Sequence, residues 1–195
     1  MKVSPVPRIV GALLFQPVPH TDERGFFSRT FDAQAARDAG LDPASFVQDS
    51  QSRSVRGVVV RGLHVRGGAG EAKLVRCSYG AVFDVIVDLR ADSPTYLNWE
   101  SFELCDTEQV SLYVPAGCAH GFQARTEPAD VSYRIDRPHD PAEDISIAFD
   151  ETNALDDQRA CRFSSTPLKS VALLEFVEVH PHLIWQLEFC LVVVR

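Results

Sequence analysis

The sequence has few cysteines, and none of them lie close together. They are odd in number and widely spaced, at Cys77, Cys105, Cys118, Cys161 and Cys190, and no CxxC pair occurs. A disulfide framework uses an even set, and a structural zinc site usually shows closely spaced pairs, so the pattern favours neither. It is typical of a reducing compartment, and we expect a cytoplasmic protein.

Long apolar runs are also missing. The most apolar stretch is Leu183–Val194, which contains Gln186 and Glu188 and is shorter than the ~20 residues that cross a bilayer. The first ten residues, MKVSPVPRIV, lack the apolar segment of a signal peptide. We therefore expect no membrane partner.

Basic residues are in the minority. There are 19 Lys and Arg against 27 Asp and Glu, and the net charge is −8. A general nucleic-acid binder would be basic overall, so we expect no nucleic-acid partner. Residues 51–80 are the exception, because they contain six bases and only one acid, Glu71, and so carry a local charge of +5. This stripe predicts an anionic ligand, most simply a phosphate.

The chain shows no linker, internal repeat or low-complexity segment, and its 195 residues are expected to form a single domain, residues 1–195. One helix is predicted at Asp32–Ala39, capped by Asp32 and ended by Gly40. In Ala81–Leu89, apolar residues alternate with Asp84 and Asp88, as in a strand. Further short strands are predicted at Val58–Val60, Lys73–Tyr79, Ser101–Leu104, Val110–Val114, Gly121–Ala124, Val131–Ile135 and Ile145–Phe149. Many short strands separated by turns predict an all-β sandwich or barrel with a few short helices.

Three short motifs can carry chemistry. The first is RGLH at residues 61–64, followed nine residues later by Lys73. The second is PAGCAHGF at residues 115–122, which contains His120, and the third is Tyr133 in a predicted strand. On neighbouring strands of a barrel, a His, a Lys and a Tyr can point into one cavity.

These motifs belong to a longer ordered set that resembles the dTDP-4-dehydrorhamnose 3,5-epimerase family over about residues 20–150. The segments that carry the resemblance are DERGFF (22–27), FVQDSQS (46–52), RGLH (61–64), AKLVRCSYGAVFDVIVDLR (72–90), SPTY (93–96) and PAGCAHGF (115–122). The resemblance implies a jelly-roll sandwich of the cupin type that acts as a homodimer without a metal or other cofactor. It also implies a dTDP-4-keto-6-deoxyhexose substrate that is epimerised at C3, C5 or both.

The resemblance assigns roles to particular residues. The hydrogens at C3 and C5 lie next to the C4 ketone, so their removal leaves an enolate and requires a base, a nearby cation and an acid on the opposite face. The matching residues are His64 as the base, Lys73 as the cation and Tyr133 as the acid. The substrate-binding positions that match the family are Arg24, Phe27, Gln48, Arg61 and His120; we add His139, which lies near the acid.

The sequence departs from the family at three positions within the matched region. Arg29 replaces an acid that commonly follows the RGFF element, and Ser50 replaces an expected asparagine. His139 stands where the family has a second tyrosine, six residues after Tyr133. Because this last change falls on the acid side, we expect it to affect reprotonation.

The C-terminal part, residues 151–195, diverges from the family. The family's aspartate that pairs with the catalytic histidine is not recognisable there, and Asp156 and Asp157 are candidate substitutes. Without that carboxylate His64 would be a weaker base. A single-site 3- or 5-epimerase and a sugar-nucleotide-binding protein with impaired activity therefore stay open, as does a 3,4-ketoisomerase on the same scaffold.

A metal-dependent cupin is a further alternative. His64, Glu71 and His120 occupy three of the four positions at which such proteins hold a metal, but the fourth is Arg66. A guanidinium has no lone pair to donate and is repelled by a cation. We therefore expect no metal site.

Overall fold

The computed structural model describes residues 1–147, in which thirteen strands form two facing antiparallel sheets and a separate hairpin. In chain order, strands β1 to β13 are Lys2–Pro5, Leu13–Gln16, His20–Asp22, Gly25–Phe27, Gln48–Ser54, Val60–Arg66, Lys73–Tyr79, Ala81–Asp88, Trp99–Cys105, Ser111–Val114, Cys118–Ala124, Ala129–Ile135 and Asp144–Ser146. The six-stranded sheet has the order β1-β2-β10-β7-β12-β5, and the five-stranded sheet has the order β13-β6-β11-β8-β9. Strands β3 and β4 pair only with each other. The predicted all-β sandwich of the jelly-roll type is confirmed.

The predicted helix is present as α1, Ala33–Asp38. The Asp32 side chain accepts hydrogen bonds from the backbone N–H groups of Gln34 and Ala35, as expected of an N-cap. Two single-turn 3-10 helices, Pro43–Ser45 and Pro141–Glu143, complete the helical content of residues 1–147. In this part of the chain, no helix has the length and apolar character needed to cross a bilayer.

The main core lies between the two sheets. It is built from side chains that point inward from both, including the fully buried Val75, Ile86, Leu112 and Val131. A second apolar cluster, which includes Leu63, Phe83, Val85 and Trp99, lies on the other face of the five-stranded sheet. Strand β8 is therefore buried on both faces.

One strand prediction needed correction, and strands β1 to β5 were not predicted. The strand expected at Val58–Val60 instead begins at Val60 and runs through RGLH to Arg66, so the motif lies within β6 and not after a strand. Strand β5 was missed because its sequence, QDSQSRS, has no apolar alternation. The prediction at Ile145–Phe149 overlaps β13, and its last residues lie outside the described part.

Candidate active site

The two motif histidines lie side by side because strands β6 and β11 approach each other closely. His64 is directly opposite His120 in the antiparallel register. Gly62 and Gly121 permit the approach, since a Cβ on Gly62 would collide with the Cα of Gly121, and Gly62 has a φ of +127°. The glycines of RGLH and AHGF are thus required for the close approach of the two strands, independently of the chemistry of the histidines.

Lys73 and Tyr133 reach the same site from the facing sheet. Lys73 is the first residue of β7 and lies opposite Ile135, while Tyr133 on β12 lies opposite Val75. Both therefore share the inward face of the six-stranded sheet. The rings of Tyr133 and His120 meet edge to face with centroids 6.3 Å apart. The His, Lys and Tyr side chains from the three motifs are brought together between the sheets.

The surroundings of His64 favour its neutral form. The ring is partly open to solvent, and the burial of its remaining surface is the largest cause that lowers its pKa. The charges of Lys73 and His120 lower the pKa further, while Asp144 opposes them. Since the ordinary value is already about 6.5, the imidazole is unprotonated near neutral pH and can accept a proton.

Tyr133 has the opposite character. Burial raises the pKa of its phenol to about 12, so the hydroxyl keeps its proton near neutral pH. The hydroxyl lies 3.2 Å from the Oγ atom of Ser52, which orients it. An unprotonated imidazole and a protonated phenol thus coexist in one site, as acid–base catalysis on two faces of a substrate requires.

Asp84 belongs to this site and was not predicted as a functional residue. It is fully buried on β8, and its Oδ2 lies 2.8 Å from Nε2 of His120. Burial raises the pKa of Asp84, and the adjacent His120 opposes that rise. The available signal was a carboxylate at an inward position of a strand that is apolar apart from Asp84 and Asp88. Asp156 and Asp157, the candidate partners of His64, lie outside the described residues.

Lys73 is held by a second carboxylate, Glu71. Its Oε1 lies 3.0 Å from Nζ of Lys73, and its Oε2 lies 2.8 Å from Nη2 of Arg66. Both Glu71 and His120, which metal-binding cupins would use as ligands, are therefore engaged by protein groups. In residues 1–147, no three His, Cys, Asp or Glu side chains are grouped as metal ligands would be.

A polar wall lies beside Tyr133 on the edge strand β5. Because β5 pairs with β12, Gln48, Ser50 and Ser52 alternate on the same inward face as Tyr133. The Oε1 atom of Gln48 is buried and has no hydrogen-bond partner in the described part of the chain. This polar atom is available to a ligand.

Arg61, on β6, borders the same wall. Its guanidinium donates to the backbone oxygen of Arg53 at 3.0 Å and to Oγ of Ser54 at 3.3 Å. These bonds leave part of the guanidinium free to face an anion.

Three candidate residues do not join this group within one chain. Arg24 and Phe27 lie in the β3–β4 hairpin, where the Arg24 side chain is 84% exposed and Phe27 is 74% exposed. Arg24 pairs with Asp22 at 2.6 Å. His139 is exposed at the rim, with its Nδ1 3.1 Å from Nη2 of Arg66.

Comparisons with known proteins agree on one family. The profile described as dTDP-4-dehydrorhamnose 3,5-epimerase matches residues 7–159. The enzyme of that name from Methanothermobacter thermautotrophicus is 41% identical over 141 residues, which cover 72% of this chain and 75% of the relative. A dTDP-4-dehydrorhamnose 3-epimerase from Streptomyces niveus is 37% identical over 172 residues and covers 87% of this chain and 80% of the relative. The crystal structure of a dTDP-6-deoxy-D-glucose-3,5-epimerase from Legionella pneumophila, in complex with dTDP-4-keto-L-rhamnose, superimposes with a TM-score of 0.71 at 31% identity over 89% of this chain and 90% of that one.

Proposed function

Because the chain belongs to the dTDP-4-dehydrorhamnose 3,5-epimerase family, we propose that His64, Lys73 and Tyr133 are its catalytic residues. The chain is an isomerase that epimerises a dTDP-4-keto-6-deoxyhexose in deoxysugar biosynthesis. The assignment of these residues rests on one observation. A neutral His64 and a protonated Tyr133 lie with Lys73 between the same two sheets.

In the first step, His64 is the base. Its unprotonated ring nitrogen takes a proton from the carbon next to the C4 ketone, and the electron pair of that C–H bond moves into the enolate. Negative charge develops on the C4 oxygen, where the Lys73 ammonium stabilises it electrostatically. The low pKa of His64 means that little of the enzyme is lost to the protonated form at pH 7.

In the second step, Tyr133 is the acid. Its hydroxyl gives a proton to the opposite face of the same carbon, the ketone reforms, and the configuration is inverted. The resulting phenolate and the protonated His64 return to their starting forms by exchange with water. Because the pKa of Tyr133 is raised to about 12, the phenol is protonated at the start of each turnover. It is nevertheless a far stronger acid than a carbon next to a ketone, so it can give its proton to the enolate.

The nucleotide is assigned to the polar wall. Arg61 is suited to the diphosphate because its guanidinium presents several donors to phosphate oxygens, and the buried Oε1 of Gln48 offers an acceptor. His120, held by Asp84, lies beside the sugar. His139 at the rim is retained as a substrate contact.

We also propose that a homodimer completes the site. Arg24 and Phe27 match substrate-binding positions of the family, yet both lie exposed on the β3–β4 hairpin. The hairpin pairs with no other strand in the described part of the chain. A second copy of the chain could receive this hairpin over its own site, where the two residues would meet that copy's substrate.

The cytoplasm is the proposed location. Among residues 1–147, Cys77, Cys105 and Cys118 are free thiols, which supports a reducing compartment.

Deuterium exchange tests the function. The enzyme is incubated with dTDP-4-keto-6-deoxyglucose in D₂O, and deuterium at C3 and C5 is followed by NMR. We expect exchange with inversion in the wild type and none with His64→Asn. Tyr133→Phe should permit exchange but strongly reduce inversion, because the base can return a deuteron to the face from which it took the proton.

Lysine variants provide a matched control for this experiment. Lys73→Met should lower the exchange rate by about 100-fold, as expected for loss of an electrostatic stabiliser. Lys2→Met, which removes a lysine on the exposed edge strand β1, should leave the rate unchanged. Absence of exchange with the wild-type enzyme would contradict the proposed catalytic roles.

Epimerisation at C3 alone is the second candidate. The relative from Streptomyces niveus is named as a 3-epimerase, and it covers more of this chain than the Methanothermobacter enzyme does. The replacement of the family's second tyrosine by His139 falls near the proposed acid. Deuterium at C3 without deuterium at C5 would establish this narrower activity.

A further inference from the structure

We infer that Glu71 is a positioning residue for Lys73, and that Arg66 compensates the charge of Glu71 so that the site keeps the positive charge of the lysine. This inference rests on the role proposed for Lys73. It concerns three side chains that lie within one ion cluster, called here the Arg66–Glu71–Lys73 cluster.

The cluster is built inside the protein, where a mobile lysine would otherwise have several rotamers. The side chains of Arg66, Glu71 and Lys73 are 5%, 6% and 14% exposed. The two carboxylate oxygens of Glu71 divide their contacts, since Oε1 lies 3.0 Å from the lysine Nζ and Oε2 lies 2.8 Å from the arginine Nη2. One carboxylate thus ties the ammonium of β7 to the guanidinium of β6.

The backbone around Glu71 is also held in place. The N–H of Ala72 donates to Oδ1 of Asp136 at 2.8 Å, and Arg137 donates to the backbone oxygen of Gly70 at 2.8 Å. Both bonds come from the chain just after β12, the strand that carries Tyr133. The carboxylate that holds Lys73 is therefore fixed relative to the proposed acid.

Charge balance explains why two cations share one carboxylate. A lysine paired only with Glu71 would have its charge cancelled, and an ammonium with no net field would stabilise an enolate poorly. Arg66 restores one positive charge to the three-residue cluster, and its longer contact with the half-exposed Asp144 offsets this charge less than the buried Glu71 does. The arginine is held on its other side by the backbone oxygen of Asp140 at 2.8 Å and by Asp144 at 3.4 Å.

Other charged groups also face this part of the site and belong to the same electrostatic balance. The titratable or charged groups that face Lys73 or the residues next to it are His64, Arg66, Glu71, Asp84, Asp136 and Asp144. Of these, Glu71 is the carboxylate in ion-pair contact with the ammonium. Removing its charge should therefore have the largest effect on the lysine.

Two substitutions separate this role from a purely structural one, because they should shift the pKa of Lys73 in opposite directions. Glu71→Gln leaves the ammonium beside Arg66 with no anion between them, so the pKa of Lys73 should be lower than in the wild type. Arg66→Gln leaves the whole charge of Glu71 to the lysine, so its pKa should rise. A general loosening of the site would move both variants in the same direction.

The pKa of Lys73 can be read directly by NMR titration of protein labelled with ¹³C at the lysine Cε. Assignment is simple because lysine occurs otherwise only at Lys2 and Lys169. Asp130→Asn is the matched control, since it removes a buried carboxylate that pairs with Arg53 at 2.7 Å at the opposite end of β12. It should leave the titration of Lys73 unchanged.

Activity provides a second readout. With Glu71→Gln, the loss of kcat at high pH should occur at a lower pH, because Lys73 loses its proton more readily. KM should change less than kcat. With Arg66→Gln, the maximum of kcat should fall about tenfold because the charge of the lysine is cancelled, and Arg66→Lys should restore most of it.

The outcomes are distinguishable. Titration shifts of opposite sign support the inference, whereas unchanged titrations or shifts of the same sign overturn it. If Glu71→Gln does not fold, the rise expected with Arg66→Gln decides the question alone, and its absence counts against the inference. Failure of the wild type to exchange deuterium would instead contradict the proposed function, while the titrations of the unliganded protein would still test the cluster.

Discussion

At the scale of single residues, the most unusual group is the carboxylate of Asp84. It is fully buried, and only one of its oxygens has a partner, Nε2 of His120 at 2.8 Å. The other oxygen, Oδ1, has no hydrogen-bond partner among the described residues. A buried carboxylate of this kind contributes little to stability, because its desolvation opposes the attraction to its partner. Its presence is better explained by the proposed role of His120 as a substrate contact than by folding.

Replacement of Asp84 by asparagine should separate activity from stability. We expect kcat to fall at least about tenfold, because His120 loses the carboxylate that orients it. We expect the melting temperature to change little, since asparagine keeps the shape of the side chain and an oxygen that can accept a hydrogen bond from His120. Exchange kinetics and thermal unfolding check the two effects. A large loss of stability with unchanged kcat would show that the pair is structural.

The pH dependence of the reaction should follow His64. A base must be unprotonated, and burial together with Lys73 holds the pKa of His64 below its ordinary value of 6.5. The acid limb of kcat/KM should therefore have its midpoint below pH 6.5, so that activity is complete at pH 7 and is lost as pH falls. A midpoint above 6.5 in the pH–rate profile would contradict this assignment.

Lys73→Met provides the control for the same titration. Because the positive charge of Lys73 disfavours the protonated imidazole, its removal should raise the pKa of His64. NMR titration of the unliganded variant measures this shift without any need for activity.

At the scale of elements, the site depends on how closely β6 and β11 approach. His64 and His120 face each other across these strands only because Gly62 and Gly121 occupy the neighbouring positions without side chains. The histidines of the site therefore depend on the nearby glycines for their position opposite each other.

Gly62→Ala should disrupt this approach. The added Cβ would collide with the backbone of Gly121, and a φ of +127° is unfavourable for alanine, so we expect a loss of about 3 kcal/mol in the free energy of unfolding. Gly67→Ala is the matched control, because its nearest contact would be 3.4 Å from the backbone oxygen of Glu143. Denaturant unfolding should show the first variant destabilised and the second close to wild type. Equal stabilities would contradict the proposed role of the close approach.

At the scale of the whole molecule, the two sheets carry different residues of the proposed active site. The five-stranded sheet carries His64, His120 and Asp84, and the six-stranded sheet carries Lys73 and Tyr133. The proposed base and the proposed acid thus come from opposite walls, which is the arrangement that inversion at carbon needs. In the proposed homodimer, the exposed β3–β4 hairpin would add Arg24 and Phe27 from a second copy of the chain.

Complementation between two inactive variants tests the shared site. His64→Asn removes the base, and Arg24→Ala with Phe27→Ala removes the hairpin contacts. In an equal mixture of subunits allowed to exchange, half of the dimers are mixed and each contains one intact site, so about a quarter of the wild-type activity should return. No recovery after confirmed exchange of subunits would show that each chain uses its own hairpin.

Much of the fold could be predicted because the local signals were strong. The alternation in β8 and the capped helix α1 follow from the spacing of their residues, and both are confirmed. Strand β5 was missed because its inward face is polar, with serines where a core strand has apolar side chains. A strand that lines a ligand site lacks the hydrophobic pattern on which strand prediction depends.

The sequence by itself determined the family through an ordered set of short motifs and the sandwich through its many short strands and turns. The proposed base, cation and acid follow from the resemblance that those motifs carry. Only the tertiary structure decided which carboxylates contact the residues of the proposed site. Asp84 reaches His120, and Glu71 is shared by Arg66 and Lys73, through pairings between strands. These contacts depend on sheet register and on the distance between two walls, and both are set by packing of the whole core and not by spacing along the chain.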